Sequence, residues 1–275
     1  MRIKSILVHL EASERGRLCL ETAINLAGRF DAHLTGLAVK SPFYIPSFAA
    51  AQVPPDIYTA MNEEQDLRIA KAKEVFDDVV RANNRQDRSQ WVQAEGDIAT
   101  AITDHSRFSD LVILGQEDED KDMETYQSVP DNVILSAGRP VLVVPYIGTQ
   151  AQIGQSVMIA WDGSREAARA VYDARPILEQ ASSITILSAN PKRGEDAPGA
   201  DLARYLSEHD IGSTIQKTVS DGVSVGDLLL NEISEGGYDL AIMGGYGHLR
   251  LREMILGGVT RHMLEHMTIP VIFSH

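Results

Sequence analysis

An apolar run, Leu240-Ala241-Ile242-Met243, stops at a pair of glycines, and the stretch Met243-Gly244-Gly245-Tyr246-Gly247-His248 follows. Further on, Leu256-Gly257-Gly258-Val259-Thr260 opens a helical pattern that continues through Arg261-His262-Met263-Leu264. A buried strand, a glycine-rich loop and a helix start make the physical recipe for a phosphate seat. Glycine lets the backbone come close to an anion and adopt positive φ. The helix N-terminus then points free N–H groups and a partial positive charge at it. The spacing (Gly244, two residues, Gly247, nine residues, Gly257) matches neither a P-loop nor the Gly-x-Gly-x-x-Gly dinucleotide fingerprint. A tight turn and an ordinary helix start would need the same glycines. The rest of the chain has to decide.

Those residues must be held by elements, and the chain supplies them in a regular order. Residues 5–10 form a short apolar run without helical period, read as a buried strand. Ser13 is a candidate N-cap, and Leu18, Ala23, Leu26 and Ala27 give the following helix one apolar face up to Asp31. Residues 33–39 read as a second strand. Residues 41–56, rich in proline and aromatics, read as an irregular excursion. An amphipathic helix is expected from about Glu63 to Ala82, strands over 91–94, 111–114 and 141–144, and a helix over 98–106. The order then repeats. Strands are expected over 157–161, 184–189, 213–219, 240–243 and 270–273, with helices over 167–178, around Leu202-Tyr205-Leu206, and from Gly226-Asp227. Strand–helix alternation of this kind implies a parallel, doubly wound sheet.

The anchors pair off: Ser13 with Ser164, Gly96-Asp97 with Gly226-Asp227, Gly115 with Gly244, and Pro140 with Pro270. Gly115 precedes Pro140 by 25 residues and Gly244 precedes Pro270 by 26, so the ends of the two halves match. The larger interval differs, 102 against 80 residues, the excess lying in the proline-rich excursion and the long helix. Two homologous α/β domains, 1–148 and 154–275, therefore join through a polar linker near residues 147–154.

Composition sets the outer bounds. A hydrophobic content of 44% and a charged content of 23% are those of a globular protein. The net charge of −14 argues against non-specific binding to nucleic acid or to an anionic membrane. The single cysteine, Cys19, suits a reducing compartment and reads as a small buried hydrophobe. No stretch approaches a membrane span, and the expected location is the cytoplasm.

With a strand leading into Asp162-Gly163-Ser164 and Gly-x-x-Gly-x9-Gly near its end, the second half resembles the universal stress protein family, and the first half looks like a divergent copy. The resemblance implies two tandem five-stranded parallel sheets between helices, and ATP, with or without Mg²⁺, as ligand of the second domain. Carried over by position, it implies that Asp162 lies by adenine and ribose together with the backbone of Ala160 and Trp161. Ala189 would offer main-chain groups to the base. Met243, Gly244 and Gly247 would line the ribose and α-phosphate, and Gly257, Gly258 and Val259 would hold the outer phosphates. The family pattern carries Ser or Thr where this chain has Gly258, so one hydroxyl to phosphate is missing, and Thr260 is the candidate to compensate. His248, Arg250 and Arg252 could add positive charge.

In the first half, Glu11-Ala12-Ser13 stands for Asp-Gly-Ser, and Gly115 leads into Gln116-Glu117-Asp118-Glu119-Asp120. Like charges would meet a triphosphate there, so no nucleotide is expected in that domain. The resemblance also implies that the halves pair through residues 141–145 and 271–274, both short apolar edges that need cover. A homodimer is the other arrangement.

Three functions compete: a stress-response or signalling module that holds ATP, an interaction protein whose glycines are only structural, and a slow ATPase. Against the last stand the missing Walker lysine and the absence of paired carboxylates for Mg²⁺, Asp162 being the one acid placed near the pocket. His262-Met263-Leu264-Glu265-His266 fits a zinc-peptidase pattern, but only nine residues follow to supply a third ligand. Ser224, Ser164, His209 and Asp227 assemble into no triad.

Overall fold

A computed structural model describes residues 2–42, 54–117, 129–149, 152–191, 198–247 and 258–275. The first half runs β1 (Ser5–His9), α1 (Glu14–Phe30), β2 (His33–Lys40), α2 (Pro55–Ala82), a 3-10 turn (Gln86–Arg88), β3 (Ser89–Glu95), α3 (Ile98–Ser106), β4 (Leu111–Gly115), α4 (Val129–Ser136) and β5 (Val141–Val144). The second runs β6 (Ser156–Ala160), α5 (Arg165–Leu178), β7 (Ser183–Ala189), α6 (Ala200–Ser207), β8 (Thr214–Thr218), α7 (Val225–Gly236), β9 (Leu240–Gly244), α8 (Gly258–His266) and β10 (Val271–Ser274).

All ten strands join one sheet in the order β3-β2-β1-β4-β5-β10-β9-β6-β7-β8. Each half has the same internal order, mirrored about the centre, and every pairing is parallel except β5 with β10. Strands near the centre are buried on both faces, which is why they read as continuous apolar runs. Ile6 and Val8 face one core and Leu7 the other. One helix layer packs Leu20, Phe76, Val80, Val171 and Leu206, from α1, α2, α5 and α6, on the first face. The opposite layer packs Ile102, Ile134, Leu229 and Met263, from α3, α4, α7 and α8. The outermost strands, β3 and β8, are largely solvent-facing.

Helix starts follow the capping chemistry. Ser13 accepts from Gly16 N–H and Ser164 from Ala167 N–H. Asp97 caps α3 through Thr100 N–H, but its partner in the second half is Ser224, which caps α7 through Asp227 N–H. The anchor pair read as Gly96-Asp97 with Gly226-Asp227 is thus out of step, because a serine took over the cap and moved the helix start upstream. Helix α2 also begins earlier than its periodicity suggested, at Pro55 in the first turn, where proline's missing N–H costs nothing. Most of the expected excursion, residues 43–53, lies outside the described residues. Cys19 is buried in α1, and burial pushes its thiol up to about 12, in keeping with a packing role. No helix among the described residues is long and apolar enough to cross a membrane.

At the centre, Val271, Ile272 and Phe273 pair antiparallel with Val143, Leu142 and Val141. The expected pairing of the halves is therefore what the chain does. Gln116, the residue after β4 and 1% exposed, is spent on this seam. Its Nε2 donates to the carbonyls of Leu264 and Glu265 at 2.9 Å each, and its Oε1 accepts from Tyr146 N–H at 3.0 Å. The last turn of α8 is thereby capped from the other domain. Truncating Gln116 to Ala strands two carbonyls and an amide, so the unfolding free energy is expected to fall by about 1–3 kcal/mol in urea titration.

Candidate functional site

Open parallel sheets leave a crevice beyond the strand C-termini, where neighbouring connections leave on opposite faces. In the second half that place lies at the ends of β6, β7 and β9. A cavity of about 200 Å³ opens there, lined by Ala160, Trp161, Asp162, Leu187, Ala189, Val225, Leu229, Met243, Gly244, Tyr246, Gly247, Gly258, Val259 and Thr260. Ten residues singled out in the sequence are therefore brought together. The remaining two, His248 and Gly257, lie outside the described residues, as do Arg250 and Arg252. Leu187, Val225, Leu229 and Tyr246 were missed. The i, i+4 apolar pair Val225/Leu229 on a helix start was a readable signal, and so was an aromatic residue inside a glycine loop. A larger crevice of about 640 Å³, where the interdomain linker crosses α1, is lined by Arg29, Arg85, Asn25 and Gln155 among others. Among the described residues no glycine loop or helix N-terminus opens into it, and Arg29 is engaged there with the Ile153 carbonyl and Gln180.

The glycines divide by what a side chain would meet. A Cβ on Gly244 would lie 2.6 Å from the Ala167 amide nitrogen and 2.8 Å from the Glu166 carbonyl carbon, so close packing of β9 on the first turn of α5 demands glycine. A Cβ on Gly247 would be 3.1 Å from Glu166 Oε2, a tight fit. A Cβ on Gly258, the first residue of α8, would meet nothing within 4 Å among the described residues. Packing accounts for Gly244 and leaves Gly258 without a structural reason.

The amides of the loop are less free than the glycines suggested. Gly245 N–H donates to Ser274 O at 2.8 Å, and Tyr246 N–H donates to Thr260 Oγ1 at 3.1 Å. The Thr260 oxygen, buried at the start of α8 and part of the cavity lining, thus pins the loop as an acceptor while its O–H keeps a proton to donate. Tyr246 is held at φ +55°, a left-handed conformation costing a bulky residue on the order of 1–3 kcal/mol. Its phenol donates to the Asp131 carboxylate on α4 of the first half. Asp162 stands at the cavity mouth, and its Oδ1 accepts from Ser164 N–H at 2.9 Å.

Asp162 is not the sole acid near the loop. Glu166, 4% exposed, lies beneath Gly244 and Gly247, with Arg165 Nε 2.5 Å from its Oε1. Burial opposes its charge, but hydrogen bonds from Arg165 and its own amide, with the charges of Arg165 and His275, outweigh burial and hold the carboxyl below the usual range.

The equivalent corner of the first half is chemically different. With Ser13 and Ser164 both capping, Arg15 occupies the place of Glu166. Its aliphatic stem lies over Gly115, where a Cβ would come within 2.7 Å of Cγ and Cδ. Its guanidinium donates to Gln116 O at 2.8 Å and pairs with Glu11, the counterpart of Asp162, at 3.0 Å. Of the run read after Gly115 only Gln116 and Glu117 are described, and Glu117, the one acid of the two, is exposed. Gln116 is buried in the seam, and Glu117 Oε1 accepts from Val129 N–H at the start of α4. Asp118, Glu119 and Asp120 lie outside the described residues.

The zinc-like pattern on α8 is committed elsewhere. His262 Nε2 donates to Asp227 Oδ1 at 2.9 Å, His266 Nδ1 donates to the His262 carbonyl at 3.0 Å, and the two rings stack at 4.5 Å. Among the described residues no group of three or more His, Cys, Asp or Glu side chains could hold a metal ion.

The model of the universal stress protein family matches residues 2–145 and again 155–275. Among solved structures, the chain is similar to a universal stress protein from Archaeoglobus fulgidus, with 19% identity, TM-score 0.73, and 98% of this chain and 97% of that one covered. It is also similar to a putative universal stress protein from Pseudomonas aeruginosa, with 16% identity, TM-score 0.58, and 99% and 93% covered. Likeness at these identities speaks for the fold. No curated protein matches the chain.

Three variants check the geometry. Gly244→Ala is expected to cost about 1–3 kcal/mol of stability by overpacking. Gly258→Ala should leave stability unchanged or raise it by up to about 1 kcal/mol, because nothing is displaced and a free backbone is stiffened. For Glu166, a folded-state pKa below its ordinary 4.5 means stability that is present above that pH and lost as pH falls through the depressed value. Glu166→Gln should therefore flatten the acid limb of the stability–pH curve below about pH 4.5 and change its slope little above it.

Proposed function

The chain belongs to the universal stress protein family, and from that premise we propose that its second domain holds an adenine nucleotide, ATP in the first instance, in the cavity at the ends of β6, β7 and β9. The observation that carries the reading is convergence. Residues spread over a hundred positions, singled out by the glycine motif and by family resemblance, line one cavity together with the N-terminal turns of α7 and α8. The apolar wall of Leu187, Val225, Leu229 and Met243 suits a base, and Asp162 at the mouth suits ribose hydroxyls. Sites for whole ligands commonly run to about 300–1000 Å³. A cavity of about 200 Å³ therefore fits the base and ribose, with the phosphates extending over Gly247 towards the amide of Gly258. There the α8 dipole favours negative charge by about 0.3–1 kcal/mol.

The protein's role in this reading is that of a stress-response or signalling module that holds nucleotide without needing to turn it over. Glu166, a buried acid beneath the loop, is paired with Arg165 and held below the usual carboxylate range, which makes it a poor general base. One nucleotide per chain is the expected occupancy. In the first domain, Arg15 spans Gly115 and ties up Glu11, so the corresponding corner is filled by the chain itself. The second reading, an interaction protein without nucleotide, draws on Gly244, whose glycine is explained by packing alone.

Calorimetric titration of ATP into nucleotide-free protein, with and without Mg²⁺, separates these readings. A stoichiometry near one is expected. Gly258→Ser restores a hydroxyl where there is room for it, and a hydrogen bond to a charged group contributes about 1.5–3 kcal/mol. The variant should accordingly bind at least about tenfold tighter. Two equivalent sites would overturn the assignment of Arg15, and no heat of binding in either protein would favour the interaction reading.

A further inference from the structure

We infer that Asp131, in the first domain, is a positioning residue for the site in the second domain, acting through Tyr246. The binding half of this inference rests on the nucleotide reading above. Its structural half concerns the empty loop.

Tyr246 forms part of the cavity wall, and at φ +55° it occupies a conformation that a bulky side chain leaves unless it is held there. Two anchors hold it. Its amide is tied to Thr260 within its own domain, and its phenol is tied to Asp131, which is 115 residues away in the chain and 5% exposed. Burial and the Asp131 carboxylate both push the phenol pKa up, so the phenol keeps its proton and remains the donor. Asp131 does not act from an isolated perch. One turn along α4, Ile134 packs on the loop so closely that a Cβ on Gly245 would come within 2.8 Å of its Cγ2. Gln116, also from the first domain, caps the last turn of α8, the helix whose first residues form the opposite wall. Both movable walls of the cavity are thus fixed from across the seam. Removing Asp131 releases the phenol, lets the left-handed turn relax, and takes the 245–247 segment off the cavity edge.

The test uses the full chain with Asp131→Ala, Asp131→Asn, Tyr246→Phe and the double variant Asp131→Ala/Tyr246→Phe. Two quantities are read well below the melting temperature: the Kd for ATP, and amide hydrogen exchange across residues 245–247 without ligand. Asp131→Ala and Tyr246→Phe should each weaken ATP on the order of tenfold, and the double variant no further, because both break one linkage. Asp131→Asn, which keeps an acceptor oxygen, should stay within about threefold of the parent protein. Loop exchange should speed up in the Ala and Phe variants and hold in the Asn variant. Parent-like binding and exchange in Asp131→Ala would overturn the inference. So would additive losses in the double variant, or a drop in melting temperature shared by the Ala and Asn variants with Kd and exchange unmoved. Failure of the parent protein itself to bind ATP would remove the nucleotide reading, and the exchange arm would then decide the anchoring by the same criteria.

Discussion

Everything in this molecule hangs on the antiparallel pairing of β5 with β10. Each half alone would end its parallel sheet in a strand whose four residues are fully apolar or buried, an edge that invites uncontrolled pairing. Joining the two edges removes both at once and continues the two helix layers across the seam. The pairing has a second consequence. Because the halves are related by a two-fold-like rotation about that seam, α4 of the first half lies against the glycine loop of the second, and the end of β4 reaches α8. The cavity at the C-terminal ends of the second half is therefore walled by one domain and braced by two.

The loop can be understood through that bracing. A glycine-rich turn is floppy in isolation, since each glycine gives up more backbone entropy on ordering than any other residue. Here the turn is fixed at each end of its described part. Gly244 is wedged against α5, Gly245 is bonded to Ser274 and touched by Ile134, and Tyr246 is held by Thr260 and Asp131. Such over-determination is what allows a non-glycine residue to persist at positive φ. A preformed site gives up less entropy when a ligand arrives than one that must first be ordered.

Much of this was legible in the chain because it is local. Apolar runs without helical period gave the central strands, Ser13 and Ser164 announced their helices, and the repeat supplied the topology twice over. The ten cavity residues could be named because the family resemblance places ligand contacts at strand ends and helix starts, which sequence marks well. What stayed hidden was non-local or competitive. Nothing in the sequence ties Asp131 to Tyr246, or Gln116 to the last turn of α8, since those contacts exist only through the seam. The α7 start was misplaced because Ser224 outcompeted the Gly226-Asp227 pair for the cap. Glu166 escaped notice because a glutamate in a helix first turn ordinarily points to water, whereas here the approach of β9 closes over it.

The two halves also show one duplicated fold carrying different side chains at the same corner. The same position in the first turn of α1 and α5 carries Arg15 in one half and Glu166 in the other, each lying against the glycine at the end of the adjacent strand. Arg15 turns inward along that surface, reaching both the Gln116 carbonyl and Glu11, so the corner is neutralised and filled by its own chain. Glu166 is instead neutralised from outside by the exposed Arg165 and leaves the loop open above it. This charge reversal, with no change of fold, goes with one corner filled by its own chain and the other lined as a cavity. The closed half is not idle, because its rigidity is what the open half leans on through α4.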